Sequence, residues 1–251
     1  MNKHWWLIIA GLTIGIAVIF GLKFWPTATQ ARTVTRPDEA PVVVETEAVS
    51  PIFPEIAADP ASAQEPLPEL SESDPFVRGL LADWSLPKLW KAREDLVRRF
   101  VVVLDNAARG ELPKRQLAFL APQGRFQVID KGNRLIIDPQ SYRRYDTYLD
   151  LLEALPVESA KRISSLIRPL IVEALAELGT RDPNPEDLLS DAIAQIEAIP
   201  EIPGEVVVVQ PKVFYQFANP GLEALSPLQK QVLRMGPKNV LRLKRYLRAL
   251  L

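Results

Sequence analysis

The stretch REDLVRRFVVVLDNAA, residues 93–108, decides the fold class. Its apolar residues Leu96, Phe100, Val103 and Leu104 recur at three- and four-residue intervals, the spacing of one helical face, and Gly110 follows where a helix would end. Upstream, Ser73-Asp74-Pro75 reads as a capping residue with Pro in the first turn, and Phe76, Val77, Leu80 and Leu81 continue at helical spacing. Downstream, a short helix is expected over 112–120. Phe126 to Ile129 and Leu135 to Ile137 flank the turn-rich Asp130-Lys131-Gly132-Asn133 as a small β-hairpin. Asp138-Pro139 opens a helix carrying Tyr142, Tyr145, Leu149 and Leu152. A longer one follows Pro156, with a kink expected at Pro169 and Gly179 at its end. Asn184-Pro185 opens another helix to about Ile199, and Glu205 to Val209 is one further short strand. Ser226-Pro227 starts a final helical stretch, broken at Gly236-Pro237. The pattern predicts a mainly α domain over 71–251, large enough for a core of its own.

Working back to the N-terminus, WWLIIAGLTIGIAVIFGL at 5–22 contains no charge and is long enough to span a hydrocarbon core at about 1.5 Å per residue. Trp5, Trp6, Phe24 and Trp25 suit the two interfaces, Lys23 can snorkel, and Pro26 stops the helix. A cleaved signal peptide is the competing reading. The run is longer than the usual signal core, and Lys23 to Pro26 precede the only small-residue site, Thr29-Gln30-Ala31. The expected organisation is a tail (1–4), an uncleaved transmembrane anchor (5–25), a disordered linker (26–70) and the domain. Basic residues flank both ends of the anchor, so the short tail alone favours an N-terminus inside. Gly11 and Gly15 form a GxxxG pair that would permit an anchor-mediated dimer, although Gly is common in membrane helices anyway. From Pro37 to Asp74 there are ten Asp or Glu, no Lys or Arg, and seven prolines; such a segment is expected to be extended and to act as a spacer.

Charge falls in blocks: net +7 over 88–144, −8 over 150–205 and +7 over 206–251. Lys230, Arg234, Lys238, Arg242, Lys244, Arg245 and Arg248 stripe a broad helical face. That face suits anionic lipid or an acidic polymer, or it meets the acidic block of its own chain, the simpler reading. Arg98, Arg99, Arg109, Arg143 and Arg144, with Tyr142 and Tyr145, are a second candidate anion or partner site, against which stands ordinary salt bridging. No nucleic-acid partner is expected, because no recognised basic-aromatic pattern occurs.

The sequence has no Cys, and its single His, His4, sits beside the anchor. Disulfides, thiolate metal sites, Ser-His-Asp and Cys-His catalysis and His-based metal sites are therefore excluded from the domain. No phosphate-loop or dinucleotide fingerprint occurs, and no cofactor is expected. Paired carboxylates remain as a route to glycan hydrolysis, with Asp105, Asp138, Asp146 and Asp150 as candidates. Each has a plainer role as a cap or on a solvated helix face.

LPELSESDPFVRGLL at 67–81, RRFVVVLDNAARGELP at 98–113, DPQSYRRYD at 138–146 and LSPLQKQVLRMGPKN at 225–239 resemble a bacterial envelope family, domain of unknown function 3014. The resemblance covers about residues 67 to 250. It implies the same plan of anchor, Pro-rich linker and domain, and brings no activity or catalytic residue. The expectation is a single-pass protein of the bacterial inner membrane with a periplasmic domain, not an enzyme, that binds an envelope protein or an anionic envelope component. The alternatives are a carboxylate-dependent glycan hydrolase and a tethered scaffold facing the cytoplasm.

Overall fold

The structure, a computed structural model, describes residues 66–84, 93–118, 122–179 and 184–251. The expected anchor with its Gly11–Gly15 pair, and the linker up to residue 65, lie outside the described residues. Among the described residues no helix is long and apolar enough to cross a membrane. Leu70, at the end of the expected linker, is buried in a 3-10 turn (Leu70–Glu72). This turn leads into α1 (Asp74–Leu80), with Pro in the first turn as expected.

Helix α2 (Leu96–Ala108) begins three residues later than its periodicity predicts. Asp95 takes a left-handed conformation (φ 57°), and the Asp74 carboxylate reaches back to accept hydrogen bonds from the main-chain N–H groups of Asp95 and Leu96, both at 2.9 Å. Asp74 thus opens one helix and caps the next, supplying acceptors that the first turn of α2 cannot find within itself. The buried face of α2 is wider than expected. Val97, Val101 and Ala107 join Phe100, Val103 and Leu104, while Leu96 is only half-buried.

The chain continues through α3 (Lys114–Leu117), strands β1 (Val128–Asp130) and β2 (Leu135–Ile137), then α4 (Pro139–Arg143) and α5 (Asp146–Glu153). The last two replace the single helix expected after Asp138. The joint between them falls at Arg144 and Tyr145, where Tyr145 is buried. Helix α6 (Val157–Glu177) is continuous with Pro169 inside it, and α7 (Pro185–Glu197) follows. Both α6 and α7 pack on α2, and Leu104, Ile171, Leu189 and Ile196 are fully enclosed there.

Strand β3 (Val207–Val209) is the predicted further strand, and it joins the hairpin rather than standing apart. Beyond it lie β4 (Gln216–Phe217), α8 (Pro220–Glu223), α9 (Pro227–Leu233) and α10 (Pro237–Leu250). The sheet runs β1-β2-β3-β4, antiparallel throughout. At two residues, β4 is too short to show any alternation, so the sequence gives no sign of it. Strand ends and helix ends follow local chemistry. Asp138 accepts from Gln140 N (2.7 Å), Asn184 from Glu186 N (3.3 Å), and Ser226 and Gln229 form a reciprocal capping box.

Between α9 and α10 the main chain turns at Gly236 (φ 85°, ψ 160°), a conformation that is essentially glycine-only. A Cβ there would lie 2.7 Å from Cδ1 and 2.8 Å from Cβ of Tyr142, and closer still to Cγ. Asn239, buried just beyond, donates through Nδ2 to Asp146 Oδ1 (2.8 Å), to Tyr142 O (3.2 Å) and to Met235 O (3.2 Å). The corner is therefore locked to the α4–α5 segment. Gly132 also has φ 85°, but no atom lies within 4 Å of the corresponding position. Gly132→Ala is expected to cost about 1–2 kcal/mol from backbone strain, and Gly236→Ala about 3 kcal/mol or more from strain plus the clash. Urea unfolding of the two variants checks this, and equal losses would mean that the Tyr142 contact does not matter.

Candidate anion site

Two of the arginines singled out in the sequence, Arg144 and Arg234, act on one buried tyrosine, Tyr145. Arg144 follows α4, which Asp138 starts and which Ser141 ties to the chain before β1. The Ser141 hydroxyl accepts from Gln127 N (2.7 Å) and donates to Gln127 O (2.9 Å). Arg144 donates to Ser141 O (3.1 Å) and Gly124 O (3.2 Å), and its guanidinium carbon lies 5.8 Å from the Phe126 ring centre and 5.6 Å from that of Tyr145. Arg234 sits at the C-terminal end of α9. Its guanidinium carbon is 5.2 Å from the Phe217 ring centre, and Nη2 reaches Tyr215 O at 3.5 Å. Phe126 and Tyr215 touch each other, with ring centres 5.6 Å apart, and so link the two halves. Aromatic faces hold both cations in place.

Tyr145 lies beneath, 1% exposed, its hydroxyl accepting from Gln231 Nε2 at 3.0 Å. Burial pushes the Tyr145 phenol above its usual value, against the pull of Arg144, of the Gln231 hydrogen bond and of Arg234. Burial likewise draws the Arg234 guanidinium below its usual value, opposed by Glu223 and Tyr145. Among the described residues neither Arg144 nor Arg234 has a carboxylate within ion-pair distance. The nearby Glu223 is held by Lys230 Nζ (3.0 Å) and Phe217 N (2.9 Å). A half-buried guanidinium with no carboxylate bonded directly to it keeps donors whose natural complement is an oxyanion.

The other candidate residues lie elsewhere. Arg98 binds Glu177 in a fork (2.6 and 2.9 Å) and Asp95 (3.3 Å), and Arg99 donates to Glu94 O (2.7 Å). Arg109 grips Asp105. Arg242 bridges Asp150 (2.6 Å) and Glu153 (2.6 and 3.0 Å). Arg143, Lys238 and Arg245 are exposed. Of the four carboxylates considered for hydrolysis, Asp138 caps α4, Asp146 accepts from Asn239, and Asp105 and Asp150 hold arginines. No cluster of metal-ligating side chains occurs among the described residues. An apolar groove of about 280 Å³ is lined by Ile202, Val206, Leu233, Val240 and Leu241, among others, and by no arginine. The sequence reading missed Phe126, Tyr215, Phe217 and Gln231 as site residues. Their spacing along the chain carries no motif, and the β3–β4 pairing fixes the segment in which Tyr215 and Phe217 meet Arg234.

Hydrogen bonds from Arg242 hold the Glu153 carboxyl below its usual range. A depressed folded value gives stability that is present above the unfolded carboxyl range, near pH 4.3, and lost as pH falls through the folded value. Arg242→Ala is therefore expected to make the acid-side fall in stability shallower below about pH 4.3. Unfolding midpoints from pH 6 to pH 3 test it, and parallel wild-type and variant curves would count against the pairing.

A family model described as "Protein of unknown function (DUF3014)" matches residues 96–251, a range that includes all four strands and both arginines. No curated protein and no solved structure matches the chain.

Proposed function

We propose that this chain, which belongs to the DUF3014 family, is a membrane-tethered, non-enzymatic binding protein whose helical domain captures an anionic ligand between Arg144 and Arg234. The observation that carries the reading is that Arg144 is held on the Phe126 and Tyr145 rings and Arg234 on the Phe217 ring, whereas Arg98, Arg168 and Arg242 hold carboxylates. Two preformed cations need little reordering to receive an anion, so little of the binding energy is lost to entropy. A catalytic role has less support, since the candidate carboxylates already have partners within the fold.

The tether rests on the sequence. The uncharged run at 5–22 suits a single span of the bacterial inner membrane, and the acidic, Pro-rich stretch that begins at Pro37 and ends before Leu70 suits a spacer carrying the domain on the periplasmic side. Contact between anchors at Gly11 and Gly15 would pair two such chains. The partner in this reading is an envelope protein or an anionic envelope component.

Two measurements test the two halves of the proposal. For the site, the full chain in detergent is heated with acetate, sulfate or phosphate at matched ionic strength. At least one anion is expected to raise the unfolding midpoint of wild type relative to chloride, through binding to the folded state alone. The shift should vanish in Arg144→Gln and persist in Arg245→Gln; no shift from any anion would remove the site. For the topology, the lack of cysteine allows a single Ser62→Cys probe. Labelling of intact cells by a membrane-impermeant maleimide is expected, whereas labelling only after lysis would place the domain in the cytoplasm.

A further inference from the structure

Independently of the anion site, we infer that the apolar groove between residues 200–206 and the α9–α10 corner receives a second copy of this chain, in a two-fold dimer of the domain. The groove measures about 280 Å³; Val206, Leu233 and Val240 are its buried lining, and Pro203, Pro237 and Leu241 are among its exposed lining. Proline has a fixed φ and no N–H. Pro200, Pro203 and Pro237 therefore leave few main-chain donors for water to serve, and they hold the sides of the groove in shape before anything binds. A recess of this volume has room for an isobutyl group. Leu241 is such a group, 45% exposed at the edge of the same groove. One exposed Leu alone is ordinary. Beside an apolar recess it supplies the projection that the recess can take. Projection and recess on a single patch are what an isologous contact needs, since each copy gives its Leu241 and receives the partner's Leu241.

Charge selects the second copy over other occupants. Lys238, Leu241 and Arg245 are exposed on one stripe of α10, at spacings of three and four residues. The other side of the groove carries Glu201, also exposed. Among the described residues neither Lys238 nor Glu201 is in an ion pair; Glu201 acts on Arg248 through space, but it is Glu197 that binds Arg248. An acidic peptide or an anionic membrane surface would suit Lys238 and Arg245 and be repelled by Glu201. A second copy brings both signs. With the two-fold axis running along the groove, the α10 side of one copy meets the loop side of the other, so that Lys238 approaches the partner's Glu201 on both flanks of the exchanged leucines.

The test follows the full-length chain in detergent by sedimentation equilibrium over a wide range of concentration. Gly11→Ile and Gly15→Ile are present throughout, so that any contact between anchors is removed. A reversible monomer–dimer equilibrium is expected. Leu241→Glu should weaken it by about tenfold or more, whereas Val213→Glu, which charges an exposed apolar residue away from the groove, should leave it unchanged. Because Leu241 is exposed, its variant should keep the wild-type helical signal. Lys238→Glu and Glu201→Lys should each weaken the dimer by about fivefold, since each sets like charges against one another, and the double variant should regain most of that loss. These exposed positions decide the matter even if Leu241→Glu does not fold. A chain that stays monomeric at every concentration would overturn the assignment and leave the groove to a different partner. A dimer indifferent to Leu241→Glu, or weakened equally by Val213→Glu, would overturn it as well. Single charge variants that weaken the dimer without recovery in the double variant would overturn the two-fold arrangement.

Discussion

Gly236 lets the main chain lie flat against the Tyr142 ring, and the positions of four helices depend on that approach. On one side of the contact are α9, which ends at Leu233, and α10, which the glycine caps. On the other are α4 and α5, joined two residues beyond Tyr142. Asn239 fastens the contact by donating to the Tyr142 carbonyl and to Asp146. Arg144 belongs to one side and Arg234 to the other, so the contact ties together the segments that carry the two cations. A side chain at 236 would push the halves apart before it touched any charged group.

Charge is settled largely inside the domain. Arg98 holds Glu177, Arg242 holds Asp150 and Glu153, Arg248 holds Glu197, and Lys131 and Arg134 share Glu205. Lys244, buried, donates to the carbonyls of Glu197 and Ile199 at the end of α7, where the helix dipole favours a cation. Exposed pairs of this kind add little stability each. Their collective effect is to neutralise the acidic middle of the chain with its basic flanks, and Arg144 and Arg234 stand out against that background.

Much of the helical plan was legible because it is written in local chemistry. Pro and a capping residue mark the starts of α1, α4, α7, α9 and α10 or their neighbourhoods, and Gly110, Gly179 and Gly236 mark ends in left-handed or extended conformations. What escaped was non-local. The late start of α2 depends on Asp74, about twenty residues away. The division of α4 from α5 follows from burying Tyr145, which no spacing rule signals. Strand β4 exists only because β3 is beside it. For the candidate site, Arg144, Tyr145 and Arg234 were visible as residue types, but their aromatic setting was not, since Phe126 and Tyr215 are nearly ninety positions apart.

The sheet order has a consequence for how the domain assembles. Strands β1 and β2 close across a four-residue turn, but β3 must return to β2 after some seventy residues of intervening helix. Loop closure over that length is entropically expensive, and contacts of such long range slow folding relative to local ones. The helices α4 to α7 can form by short-range steps while the pairing of β2 with β3 waits for them. Phe217 lies on the strand beyond that pairing, so the ring that holds Arg234 arrives with that later-closing part of the chain. A chain stalled with its helical core intact and its sheet open would retain most of its helical signal and lack the Phe217 contact of Arg234.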